Sequence, residues 1–113
     1  MDGIYLASIT GRAGVSTLML VIIRGMLVGV DFGRVRYDGE VRQTPSGEYD
    51  VSVVYAVPPG AHLVTGQTTG PRSMLVPLSF TLPSDFADGR VITIETPLGS
   101  LKARFEKLRD LGA

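Results

Sequence analysis

The sequence predicts an all-β fold: a small eight-stranded antiparallel barrel, built as a meander, in a single domain over residues 1–113. Three observations lead there. Apolar residues recur mostly at every second position, the spacing that lays one face of a strand on a core. Turn residues, drawn from 14 glycines and 7 prolines, interrupt these runs at short intervals, as they do in sandwiches and barrels. Closure of eight antiparallel strands then removes the exposed edges that an open sheet would leave.

The first strand is expected over 2–9, "DGIYLASI". Next comes the most apolar stretch of the chain, "LMLVIIRGMLVGVDFG" at 18–33. A membrane-spanning helix needs about 20 apolar residues in a row. Here the run from Leu18 to Val30 is shorter and is broken by Arg24-Gly25. That pair fits a two-residue hairpin loop, with glycine supplying a positive φ. The second and third strands are therefore placed at 15–23 and 26–30. The fourth is expected over 34–43, with Gly39 as a candidate bulge, and "TPSGE" at 44–48 makes the next turn.

The fifth strand, 49–57, sends Tyr49, Val51, Val53, Tyr55 and Val57 to one face. "PPG" ends it and opens a long connection, 58–73, expected as a mobile solvent-exposed loop. The sixth, 74–82, puts Met74, Val76, Leu78, Phe80 and Leu82 on one face. Pro77, on the other parity, cannot donate to a ladder, so this strand belongs at an edge or is interrupted. The seventh is expected at 90–96 and the eighth from Ser100. In the tail, Leu101, Phe105, Leu108 and Leu111 fit a helical stripe, while Leu101, Ala103 and Phe105 fit a strand. The expectation is a strand to about residue 106 and then a short helical or irregular end.

Composition excludes several chemistries. Eleven basic residues balance eleven acidic ones, so the chain lacks the basic footprint of a nucleic-acid binder. With no cysteine there is no disulfide, thiol nucleophile or thiolate metal site. No basic segment precedes an apolar core at the N-terminus, so no signal peptide is read. "DFG" at 31–33 matches a kinase tripeptide without the rest of that machinery; Asp31 and Gly33 are instead expected to shape a turn. His62, the single histidine, shares its loop with Thr65 and Ser73 but with no orienting carboxylate. "GQTTG" at 66–70 leads into a strand rather than the helix a phosphate cradle needs. Asp85 and Asp88 in "PSDFADG" lack the further oxygens of a calcium loop. The mixed-sign tail from Lys102 to Asp110 reads as a solvated face.

The apolar hairpin has two faces. Residues opposite each other on paired strands project the same way. One face carries Met19, Val21, Ile23, Met26, Val28 and Val30; the other carries Leu18, Leu20, Ile22, Leu27 and Gly29. Only one face of a barrel wall points inward. Leu20, Ile22 and Leu27, with Phe80, are expected to line the interior. The opposite face is expected to form an interface with a second subunit or a partner, since contiguous exposed apolar patches usually mark one.

"DGIY" at 2–5, a turn bearing Gly11 and Gly14, the Arg24-Gly25 hairpin, "LVGVD" at 27–31 and "YDG" at 37–39 occur in an order that resembles the GrlR-like family. These are small lipocalin-like barrels named for a negative regulator of type III secretion genes. The resemblance runs from Asp2 to Gly39. Val30 replaces the second glycine of the family's usual Gly-Gly-Asp, and the family's acidic partner-binding motif has no counterpart. The resemblance implies a dimeric, non-enzymatic barrel that binds a transcriptional activator or an apolar ligand. In the family, positions matching Ile23, Met26 and Val28 are often polar and those matching Leu20, Ile22 and Leu27 apolar, which marks the former as outward.

The functional expectation is a cytoplasmic, non-enzymatic protein-interaction module. It is expected to be a homodimer without cofactor or metal and to contact neither nucleic acid nor membrane. A regulatory partner protein is one occupant of the outer face. The alternative is a carrier or sensor of a small apolar ligand held inside the barrel.

Overall fold

The computed structural model describes residues 1–112, which form eight antiparallel strands and no helix. They are β1 (Gly3–Gly11), β2 (Gly14–Ile23), β3 (Met26–Asp31), β4 (Arg36–Gln43), β5 (Tyr49–Val57), β6 (Met74–Leu82), β7 (Ile92–Thr96) and β8 (Gly99–Asp110). One sheet holds them in the order β6-β5-β4-β3-β2-β1-β8-β7. It curls until its two free edges, β6 and β7, approach each other. The result is a nearly closed barrel measuring 43 × 23 × 23 Å. β6 is an edge strand, the position in a sheet where a proline such as Pro77, opposite Val54, is tolerated.

The β2–β3 turn is the tightest in the fold. Arg24 and Gly25 both take positive φ, 50° and 78°, the backbone of a type I′ turn whose twist matches the flanking strands. The register it sets runs Met19↔Val30, Val21↔Val28 and Ile23↔Met26.

Because the strands alternate in direction, every second connection lies at the same end. Residues 12–13, 32–35, 58–73 and 97–98 crown one end; the N-terminus, 24–25, 44–48 and 83–91 crown the other. The second end is plugged. Phe86, from the β6–β7 connection, drops between Tyr5 and Tyr49, at ring distances of 5.5 and 5.7 Å, and meets Phe105 edge-on at 5.5 Å. The Tyr5 hydroxyl donates to the Met1 carbonyl, closing the bottom further.

Three sequence expectations are corrected. The tail has no helical end: β8 continues to Asp110 because it pairs with β1 along nearly its whole length. A bulge makes the sequence ambiguous there. Tyr5 pairs with Lys107 and Ile4 with Arg109, so Leu108 is an extra residue that breaks the alternation and mimics a helical spacing. Gly39 is no bulge. It pairs in unbroken register with Leu27 and Val53, and a Cβ there would lie 2.1 Å from the Ser52 carbonyl oxygen. The glycine lets the wall bend tightly between β4 and β5.

The third correction is the 58–73 segment, which is folded. His62 and Thr68 bridge as a miniature hairpin. Thr69, 7% exposed, donates its hydroxyl to the Pro58 carbonyl and accepts the Ala61 N–H. The Gln67 amide donates to the Leu98 carbonyl, and the Ala13 N–H to the Val64 carbonyl. The segment is thus tied across the open end to both neighbouring turns.

Candidate functional site

The inward side chains leave a cavity of about 610 Å³ inside the barrel. This lies within the range of roughly 300–1,000 Å³ that small-molecule sites occupy. Leu18, Leu20, Leu27, Val53, Leu78 and Phe80 form much of its wall, with Ile94 and Phe105 from the far strands. The space exists because small residues stand at inward positions. Ala7 and Ala103 are 0% and 1% exposed and line it. Gly29 and Gly39 are inward too but leave no void, since a Cβ at either would meet Leu20 or Val53 and backbone oxygen at less than 3.0 Å.

The folded segment and the β3–β4 turn make the rim. His62, Leu63, Val64 and Thr65 border the cavity on one side, Asp31, Phe32 and Val35 on another. Phe32 is 91% exposed while still bordering the cavity. Polar groups gather near this rim. The Asp31 carboxylate accepts the Val35 N–H at 2.9 Å and the Tyr37 hydroxyl at 3.4 Å, so Asp31 shapes the turn as its position in the sequence suggests. Burial raises the affinity of the Tyr37 hydroxyl for its proton well above the ordinary tyrosine value, and the adjacent Asp31 charge adds to this. Burial does the same to Tyr55. Both phenols border the cavity and stay protonated at neutral pH, the Tyr37 proton being donated to Asp31.

No family model matches this chain, and no curated protein or solved structure does either. Its chemistry is therefore read from its own surfaces.

Of the residues expected inside, Leu20, Leu27 and Phe80 border the cavity. Ile22 also points inward and is 2% exposed, but it packs into the main core cluster and does not border the cavity. The residues expected outside are all on the outer wall. Met19, Val28 and Val30 are each 50% exposed and Met26 57%; Val21 and Ile23 are intermediate. β1 extends the patch with Ile4 and Leu6, paired to Val21 and Met19. Flanking strands end it abruptly, because outward positions are charged on β4 (Arg36, Asp38, Glu40) and on β8 (Lys102, Arg104, Glu106).

His62 is exposed and its Nδ1 lies 3.1 Å from Thr68 Oγ1; Thr65 instead donates to Gln67. The loop's hydroxyls and amide thus hold the segment closed. Asp85 and Asp88 both pair with Arg90, and no cluster among the described residues could hold a metal ion. No helix among them is long and apolar enough to cross a membrane.

Sequence reasoning missed the rim, because it treated 58–73 as solvent-exposed, and it missed the role of the small wall residues. The available signal was a pair of small residues at inward parity, Ala7 and Ala103, in strands otherwise filled with larger side chains.

Proposed function

We propose that this protein binds a small, mainly apolar ligand in the barrel interior, as a carrier or sensor. The observation that carries the reading is the cavity itself: a space of about 610 Å³ with apolar walls, an aromatic floor and an opening at one end only. A barrel of eight strands can be filled by its own side chains; this one is not. A ligand with an apolar body would lie against Leu18, Leu20 and Phe80. An acceptor group at its outer end would meet the hydroxyl of Tyr55, while the Tyr37 hydroxyl, whose proton goes to Asp31, would offer its oxygen to a donor.

The test is titration with an environment-sensitive apolar dye such as N-phenyl-1-naphthylamine, followed by fluorescence. Saturable enhancement at one dye per chain is expected. Leu18→Trp, which narrows the cavity from its wall, should weaken binding at least about tenfold while the β circular dichroism persists. Undiminished dye binding to a folded Leu18→Trp variant would place the dye elsewhere and sink the reading.

A second reading is favoured by a separate observation. The half-exposed Met19, Met26, Val28 and Val30 form a continuous apolar wall, as protein interaction surfaces do. We propose a homodimer as its primary form. A regulatory role, with a transcriptional activator as further partner, rests on the GrlR-like resemblance alone.

A further inference from the structure

Sheet register decides what sits at the ends of the apolar wall. One row across the strands reads Arg36, Val30, Met19, Leu6, Glu106. The next reads Asp38, Val28, Val21, Ile4, Arg109. Each row begins and ends on opposite charges, and neighbouring rows have reversed polarity. Among the described residues, none of these four charges forms an ion pair within the chain. Arg36, Asp38, Glu106 and Arg109 are all exposed.

We infer that this wall binds a second copy of the chain antiparallel to the first, about a two-fold axis that crosses the strands between the Met19 and Val21 rows. The inference rests on the homodimer reading above and gives it a geometry. Face-to-face stacking under such an axis lays each row on its neighbour. Arg36 meets the second copy's Asp38, and Glu106 meets the second copy's Arg109. At the centre Met19 meets the second copy's Val21, in the aligned stacking common between sheets. The interface then has an apolar middle and a charged rim, self-complementary as two-fold symmetry demands.

An axis along the strands would also match these two rows, pairing Arg36 with Glu106 and Asp38 with Arg109. The remaining charges oppose it. The third row, Glu40, Met26, Ile23, lies level with Asp2 and Leu111, and that axis would set Glu40 over Leu111 and Asp2 over Met26, pairing neither carboxylate with a base. It would also bring like ends of the barrel together. The open end carries Arg12, Arg34 and Arg72 in its connections with no carboxylate among them. The plugged end carries Asp2, Glu48, Asp85 and Asp88 against Arg24 and Arg90. Antiparallel stacking instead brings positive ends toward negative ends. It sets the Glu40 row over the Ser8–Thr17 row, which ends on Arg104 in β8 and adjoins the β3–β4 turn that carries Arg34. The two cavities would then open at opposite ends of the dimer.

A charge exchange tests this by sedimentation velocity. Wild type should be a dimer, and Val21→Lys a folded monomer. Asp38→Arg should weaken the dimer at least about tenfold, and Arg36→Asp with Asp38→Arg should restore it to near wild type, since the exchange re-forms the contact across the axis. The other exchange, Arg36→Glu with Glu106→Arg, should leave it weak. Rescue by that second exchange and not the first would mean an axis along the strands and overturn the geometry alone. A dimer broken by Val21→Lys but rescued by neither exchange would overturn it too. A monomeric wild type at high concentration would overturn both the geometry and the dimer reading. All positions changed are at least partly exposed, so unchanged circular dichroism separates loss of association from loss of fold.

Discussion

The two faces of the β2–β3 hairpin are built from the same kinds of residue and meet opposite environments. Leu18, Leu20, Ile22 and Leu27 are at most 6% exposed, while Met19, Met26, Val28 and Val30, one position over, are half exposed. The flanking strands follow the usual rule of apolar inside and polar outside: β4 and β8 turn Asp38, Glu40, Lys102 and Arg104 to solvent, and exposed apolar side chains elsewhere, such as Val54 and Leu75, are scattered. Apolarity alone therefore does not say where a side chain goes in this wall; strand parity does. On the hairpin's outer face the solvent-facing apolar residues are contiguous across paired strands, and that is what makes it a candidate surface for association.

The same charge placed on each face should have opposite consequences. Leu20→Lys or Leu27→Lys would bury an ammonium among aliphatic side chains with no partner, which costs several kcal/mol and exceeds the spare stability of a domain this size. The expected outcome is loss of the cooperative thermal transition. Val21→Lys or Val28→Lys should keep the fold, with a melting temperature close to wild type in dilute solution where the monomer dominates. Unfolding by the outer pair and tolerance of the inner pair would mean the faces are reversed.

A smaller effect comes from truncation. Ile22 is 2% exposed within the main core cluster, so Ile22→Ala should cost about 2–5 kcal/mol in urea unfolding. Val30→Ala, on the outer face, should fall within roughly 0.5 kcal/mol under conditions where the chain is monomeric. Equal losses at the two positions would mean that Val30 is covered within a single chain.

How much of this was legible beforehand depends on the range of the forces involved. The strands and the Arg24-Gly25 turn were readable because alternation and positive-φ chemistry are local. Pro77 pointed to an edge for the same reason. Strand ends were less so: β4 begins at Arg36 and β7 at Ile92, each two residues after the expected start. In the β3–β4 connection, the Asp31 carboxylate ties up the Val35 N–H and Arg34 takes a φ of 65°. Leu108 was misread because a bulge depends on the partner strand, which the tail alone does not reveal. The 58–73 segment was misread because its order comes from bonds to distant backbone, Gln67 to Leu98 and Ala13 to Val64. Both faces of the hairpin could be listed from parity. The cavity could not, since it is set by the joint placement of Ala7 and Ala103 with wall residues from the other strands.

The smallest expected effect sharpens the contrast between an inner face that stays dry and an outer one that does not. Tyr37 and Tyr55 border the cavity, and burial raises the pKa of both hydroxyls; for Tyr37 the Asp31 charge contributes as well. The unfolded chain releases these protons near pH 10 and the folded chain only at higher pH. Their contribution to stability is therefore complete below about pH 10 and declines as pH rises from there toward the folded-state values. Urea unfolding should show no difference in pH dependence between wild type and Tyr37→Phe from pH 7 to 9. Above about pH 10 wild type should lose stability faster than Tyr37→Phe, which has no phenol to ionise at that site. Parallel curves across the alkaline range would show that water reaches the Tyr37 hydroxyl freely, and with it the part of the cavity where a ligand's polar end is proposed to sit.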